Sequence, residues 1–147
     1  MKLSKTRLFF ETIRYVKVKD IPAFIVKSWF MDVQYEPCTM KELYDVIARF
    51  KDFIESVSIR YIVDNFDCDD YAKLFSAYAS AILKKNSVGI AIGRLYYKGQ
   101  FLGYHAWNII LSINGILFFE PQTLELFAPE DGSTIDGFIY ELVAVIW

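Results

Sequence analysis

The sequence predicts an α+β chain in which helices come first and an antiparallel sheet follows. Three observations carry this. Apolar residues recur at helical spacing in two stretches between residues 39 and 85. From Gly89 onward the pattern changes to short runs rich in β-branched and aromatic residues. Those runs follow one another with only turns and loops between them, the order expected when helices pack on one sheet.

The first 37 residues read least clearly. "PAFIVKSWFMDVQY", residues 22–35, is rich in β-branched and aromatic side chains and is expected to contain a strand. Pro37 and Cys38 mark a break. Thr39 followed by Glu42 forms a capping box, and Leu43, Val46, Ile47, Phe50 and Ile54 continue at helical spacing, which predicts a helix over about 40–56. A second helix is expected over about 68–85, with Asp67 as N-cap and Asn86 and Gly89 ending it. Cys68, Ala72, Phe75, Ala79 and Ile82 share its apolar face; Asp69, Lys73, Ser76, Ser80 and Lys84 share its polar face. "VGIAIGRLYY", "YHAWNIILSI", "ILFFEP" and "FIYELVAVIW" then read as strands, Asn114–Gly115 as a tight turn, and "KGQFLG" and "PEDGSTIDG" as longer loops.

Composition narrows the function classes. The chain has 147 residues, 54% of them hydrophobic and 18% aromatic, enough for a substantial core in one domain spanning 1–147. Sixteen lysines and arginines against eighteen acids give a net charge of −2 with no basic tract, which argues against a nucleic-acid partner. The apolar stretches are short and interrupted, so no membrane span is expected. The N-terminus lacks a secretory apolar segment, and the expected location is cytoplasmic or viral. Two cysteines in unlike contexts do not make a disulfide framework.

The chemistry centres on "NFDCDDYAKLF", residues 65–75, which surrounds a thiol with acids at a helix start. Unpaired N–H groups and the dipole at a helix tip favour an anion by about 1 kcal/mol. One carboxylate 4 Å from a thiolate opposes it by about the same amount even with water-like screening. Asp67, Asp69 and Asp70 should therefore outweigh the dipole unless something positive offsets them. A histidinium or a metal cation could do so. His105, the one histidine, lies in the predicted strand "GYHAWNII" and could act as the base for Cys68, oriented by Glu120 at the end of "FFEPQT". The bland readings are a packed cysteine, a structural histidine and first-turn acids explained by the dipole.

"FDCDDYA", "HAWN" and "EPQT", in that order over about residues 60–125, resemble the C-terminal domain family of fungal agglutinins and related phage proteins. Those domains are papain-like cysteine peptidases with a Cys-His-Glu triad, and the fungal member requires calcium. The resemblance implies a papain-like α+β fold, with a central long helix carrying the cysteine on an antiparallel β-sheet. It implies Cys68 as nucleophile, His105 as general base, Glu120 as orienting acid, and Asp69 and Asp70 as calcium ligands. The implied reaction is hydrolysis of a peptide or protein substrate through a thioester. Asp70 aligns with Leu74, Ala77 and Ala81, so its carboxylate should lean towards protein and need a partner. Asn65 and the Cys68 backbone N–H are the available oxyanion donors.

The strand pairing sets a condition. An Asn114–Gly115 turn would leave His105 and Glu120 about four residues apart along the sheet, roughly 13 Å. Contact requires a longer or shifted turn, or a bulge, and a longer or shifted turn is expected. Two other functions compete with hydrolysis. One is transglutaminase-like amidase or acyl-transfer chemistry on the same scaffold. The other is a non-catalytic structural or interaction protein, with a second copy or a virion partner held by the aromatic N-terminal third. A zinc site is not expected, because one histidine and two distant cysteines lack the spacing.

Overall fold

A computed structural model describes residues 1–130, 133–134 and 136–147. Part of the loop expected over 129–137 therefore lies outside the described residues. Thr39 caps α3 (Met40–Ser56) with the capping box read from the sequence: Glu42 N donates to Thr39 Oγ1, and Thr39 N donates to Glu42 Oε2. Asp67 caps α4 (Cys68–Leu83), which ends at Lys84 in the left-handed conformation rather than at a glycine. The strands are β3 (Val88–Tyr97), β4 (Gln100–Ser112), β5 (Gly115–Glu120), β6 (Glu125–Phe127) and β7 (Phe138–Ile146). They form one antiparallel sheet in the order β6-β5-β4-β3-β7. β6 has only three residues and was not read from the sequence.

The N-terminal region differs from expectation. It forms β1 (Leu3–Ser4), α1 (Lys5–Ile13), α2 (Ile21–Lys27) and β2 (Gln34–Tyr35). "PAFIVK" is helical because Pro22 sits in the first turn, where its missing N–H costs nothing and its fixed φ suits a helix. The same stretch then lies along β7: Trp29 N donates to Val145 O and Trp147 N donates to Trp29 O, each at 2.8 Å, so residue 29 covers the outer edge of the sheet.

Side-chain alternation along the strands puts two cores on opposite faces of the sheet. Trp107, Ile109, Leu111, Ile116 and Phe118 meet the N-terminal region through Leu8, Phe24, Phe30 and Tyr35. Val88, Ile110 and Phe119 meet α3 and α4 through Leu43, Phe50 and Phe75. The ring of Phe75 lies 4.4 Å from that of Phe119 and 5.0 Å from that of Phe50, and each fully buried ring contributes about 1.5–3 kcal/mol.

This layout corrects the expectation of a papain-like fold with one central long helix. α3 and α4 are nearly equal, at 17 and 16 residues, and share one face. The sheet is the centre, because β4 is buried on both faces from Ala106 to Ser112 and everything else packs on it.

The β4–β5 hairpin is shifted. Ser112 pairs with Gly115 and Asn108 with Phe119, so the loop is Ile113–Asn114 rather than Asn114–Gly115. Gly115 takes a φ of 121°, which favours glycine, and places it at the first ladder position. On the other side of β4, Gly93 pairs with His105. A Cβ at Gly93 would stand 1.9 Å from Glu141 O and 2.7 Å from the Trp107 ring, so only glycine lets β7 bulge in here.

Candidate functional site

Cys68 is the first residue of α4, a free, half-buried thiol. The chain enters this helix under two constraints. Asp67 Oδ1 accepts from Asp69 N at 3.4 Å, while Asp70 Oδ2 accepts from Asp67 N at 3.4 Å. Phe66 packs its ring against Tyr71 at 4.9 Å, a hydrophobic staple across the cap. The partner that Asp70 needed is therefore the cap itself.

The positive charge beside these acids is Lys73. Its ammonium binds Asp69 one turn back and lies 3.5 Å from Asp70. Asp69 is held below the usual carboxylate range by its hydrogen bond with Asp67 and then by Lys73. Asp67 moves the other way, because it shares that hydrogen bond with Asp69 and faces its charge. The i,i+3 and i,i+4 spacing of Lys73 from the two acids was the signal in the sequence.

These residues do not fit calcium. Ligating atoms within 4.8 Å of one another come from Asp67, Cys68 and Asp69, among the described residues, and Asp70 is not part of that set. Calcium takes six to eight hard oxygen ligands. Here one of three donors is a sulfur, and Lys73 already occupies Asp69 and Asp70. No step is assigned to calcium.

His105 lies on β4 with its ring stacked on Trp107, centroids 6.3 Å apart, and only 12% of its side chain is exposed. Its Nε2 is 2.6 Å from Glu120 Oε2. Continuing the Asn108–Phe119 register puts Gln122 opposite His105, so Glu120 is a diagonal neighbour on the same face. Diagonal pairs lie within reach of long side chains, and the one-residue shift of the turn is what brings the two together. Glu120 is 2% exposed and fully engaged: Oε2 also accepts from the Tyr140 hydroxyl at 3.0 Å, and Oε1 accepts from Gln122 N at 3.1 Å. Tyr140 had no marker in the sequence, and Gln122, although within "EPQT", was assigned no role there. Burial, with the Glu120 charge, pushes the Tyr140 phenol well up, which keeps it a donor.

With Nε2 committed to Glu120, Nδ1 is the nitrogen left for the Cys68 sulfur. Burial works to lower the His105 pKa, but hydrogen bonds with Cys68 and Glu120 and their charges outweigh it and raise it to about 9. A histidine so held is an imidazolium at neutral pH, a charge that favours a thiolate beside it. Cys38 contrasts with Cys68: it is fully buried, and burial pushes its thiol up. Asn65 is exposed, and its amide donates to Val63 O at 3.4 Å within its own turn.

A cleft of about 180 Å³ beside His105 and Glu120 is walled by Leu95, Thr123, Phe138 and Tyr140, and Cys68 does not line it. A cleft of about 350 Å³ lies at Arg7, Tyr15 and Ile113, another of about 470 Å³ lies at Arg14, Lys17 and Pro129, and neither includes any of these groups. Among the described residues, no helix is long and apolar enough to cross a membrane.

No family model matches the sequence, and no curated protein matches it. Solved structures do match in fold. One is described as a PSL1a-E64 complex, with a TM-score of 0.70 and 18% identity. It aligns with 99% of this chain and 50% of its own. Another is Polyporus squamosus lectin bound to the epitope Neu5Aca2-6Galb1-4GlcNAc, with a TM-score of 0.61 and 19% identity. It aligns with 99% of this chain and 49% of its own, so this chain spans about half the length of either neighbour. These neighbours correct the reading taken from the motif resemblance. The matched fold carries the name of a lectin rather than a papain-like peptidase, and the expectations of a cysteine hydrolase, a peptide substrate and a viral origin lose their support. At this identity the likeness establishes the fold that the chain shares with these structures.

Proposed function

We propose that the domain acts through a thiol acyl-transfer site built on Cys68, His105 and Glu120. The observation that carries the reading is the 2.6 Å contact between His105 Nε2 and a fully engaged, buried Glu120, with Cys68 as the other group whose hydrogen bond and charge act on the imidazole. Glu120 fixes the ring and keeps its proton, and the imidazolium favours a thiolate at the helix tip. The thiolate attacks an acyl carbonyl, the C–S bond forms, and the leaving group departs with the proton from His105. A nucleophilic acceptor then attacks the thioester, His105 takes the acceptor's proton, and the thiolate leaves. Each acyl group transferred returns the site to its starting protonation. Peptide hydrolysis is not part of this reading.

The test is intact-protein mass spectrometry with an activated thioester donor. A Cys68-dependent acyl adduct that is discharged by an added primary amine supports acyl transfer. The absence of any adduct on Cys68 contradicts it.

A second reading is favoured by one observation, the sialylated epitope bound to Polyporus squamosus lectin. In it the domain binds carbohydrate without catalysis, and His105, Glu120 and Tyr140 form a rigid polar network. A glycan array separates the two: saturable sugar binding that survives Cys68→Ala, with no acyl adduct on the wild type, favours binding alone.

A further inference from the structure

We propose that Asn108 is the positioning residue that holds Cys68 in register with His105; this rests on the thiol-site reading above. Asn108 follows His105 by three residues on β4 and points to the opposite face of the sheet, into the layer beneath α4. It is fully buried. Its Nδ2 donates to Ala72 O at 2.9 Å and to Gly89 O at 3.1 Å. Ala72 lies one turn after Cys68 on α4, and Gly89 lies on β3. One planar amide thus ties the helix that carries the thiol to β3 and to β4, the strand that carries the imidazole.

One other directional tie joins α4 to β3: Ser76 Oγ donates to Val88 O at 2.9 Å, about two turns along the helix from Cys68. Asn108 is the tie in the turn next to the thiol. The contacts of Phe75, Ala79, Val88, Ile110 and Phe119 are apolar, and apolar burial is non-directional, so it would tolerate a small slide of α4 along the sheet. A slide of one residue moves a helix by about 1.5 Å, enough to break a thiol–imidazole contact. Hydrogen bonds resist such a slide because they fail when distance and angle change. The amide also carries a penalty, since Asn108 Oδ1 has no protein partner among the described residues. An aliphatic side chain would fill the same layer without that penalty. The two donor bonds are what an asparagine adds at this position.

The test compares Asn108→Leu with Val88→Ala, a change in the same apolar layer that touches neither Cys68 nor His105. The readout is the rate of Cys68 alkylation by iodoacetamide from pH 5.5 to 9.5, followed by mass spectrometry, with melting temperatures recorded alongside. Asn108→Leu should slow neutral-pH alkylation at least tenfold and move the pH profile onto that of His105→Ala. Val88→Ala should lower the melting temperature and leave the profile unchanged. If Asn108→Leu does not fold, Asn108→Ser carries the same test. An Asn108 variant that keeps the wild-type profile overturns the positioning role. A wild type whose own profile matches His105→Ala overturns the thiol-site reading instead.

Discussion

His105 Nε2 and Glu120 Oε2 lie 2.6 Å apart on neighbouring strands although the ladder register places Gln122, not Glu120, opposite His105. The contact is diagonal, and Tyr140 and Gln122 anchor the Glu120 carboxylate on its two oxygens. Glu120→Ala should leave a buried imidazolium and a phenol without their acceptor and cost about 3–5 kcal/mol. Glu120→Gln keeps one acceptor oxygen and should cost less, about 1–3 kcal/mol. Urea denaturation of the two variants checks the order; equal stability for Glu120→Ala and wild type would contradict the account.

The pH dependence follows from His105. Its pKa is raised from 6.5 to about 9 in the folded chain, against the lowering effect of burial, by Cys68 and Glu120. A folded pKa above the unfolded one means the stability it contributes is whole below about pH 6.5 and is lost as pH rises through about 9. Wild type should therefore lose stability between these values, by at most about 1.4 kcal/mol per pH unit. His105→Gln should show a flatter curve over the same window. Parallel curves would mean that His105 is not held as an imidazolium.

Lys73 stands where a metal was expected. Chelator or millimolar calcium should leave Cys68 alkylation within about twofold of its starting rate, because the acids already have a cation. Lys73→Met removes that cation, and alkylation at neutral pH should fall about two- to fivefold, the modest size expected of exposed ion pairs. A calcium response in wild type as large as that loss would show that the acids bind metal.

Gly93 tests the backbone beside the site. Gly93→Ala places a methyl group against Glu141 O and the Trp107 ring. It should destabilise by about 3 kcal/mol or more, or prevent folding, since both obstacles are fixed. Gly99→Ala, where nothing lies within 4 Å of an added Cβ, pays only for its positive φ and should cost about 1–2 kcal/mol. Comparable melting temperatures for the two would contradict the close approach of β7.

Much of the site's frame was legible because it is local. The Thr39–Glu42 box, the Asp67 cap and the alternating strands are set by near neighbours in the chain, and α3 and β3 take the bounds read from the sequence. The N-terminal region was not legible, since Pro22 turned an apolar run into a helix and the rest was decided by the edge of β7. The "NG" signal alone would set the hairpin one residue out; the need to bring His105 to Glu120 was the reason to expect a longer or shifted turn, and the observed loop, Ile113–Asn114, is shifted and leaves the glycine to start β5. That single residue decides whether His105 reaches Glu120. Tyr140 and Gln122 were illegible for a different reason: their roles exist only once β7 and the residues after β5 come to the same carboxylate. The motif resemblance pointed to Cys68, His105 and Glu120 as site residues, while its fold name and its hydrolysis reading are corrected by the structural neighbours.

The most direct measurement is the rate of Cys68 alkylation by iodoacetamide as a function of pH, with buried Cys38 as internal reference. The account predicts that Cys68 reacts at least tenfold faster than Cys38 at pH 6.5, and that His105→Ala removes this advantage while the chain stays folded. Equal reactivity of the two thiols at pH 6.5, or a Cys68 rate unchanged in His105→Ala, would contradict it.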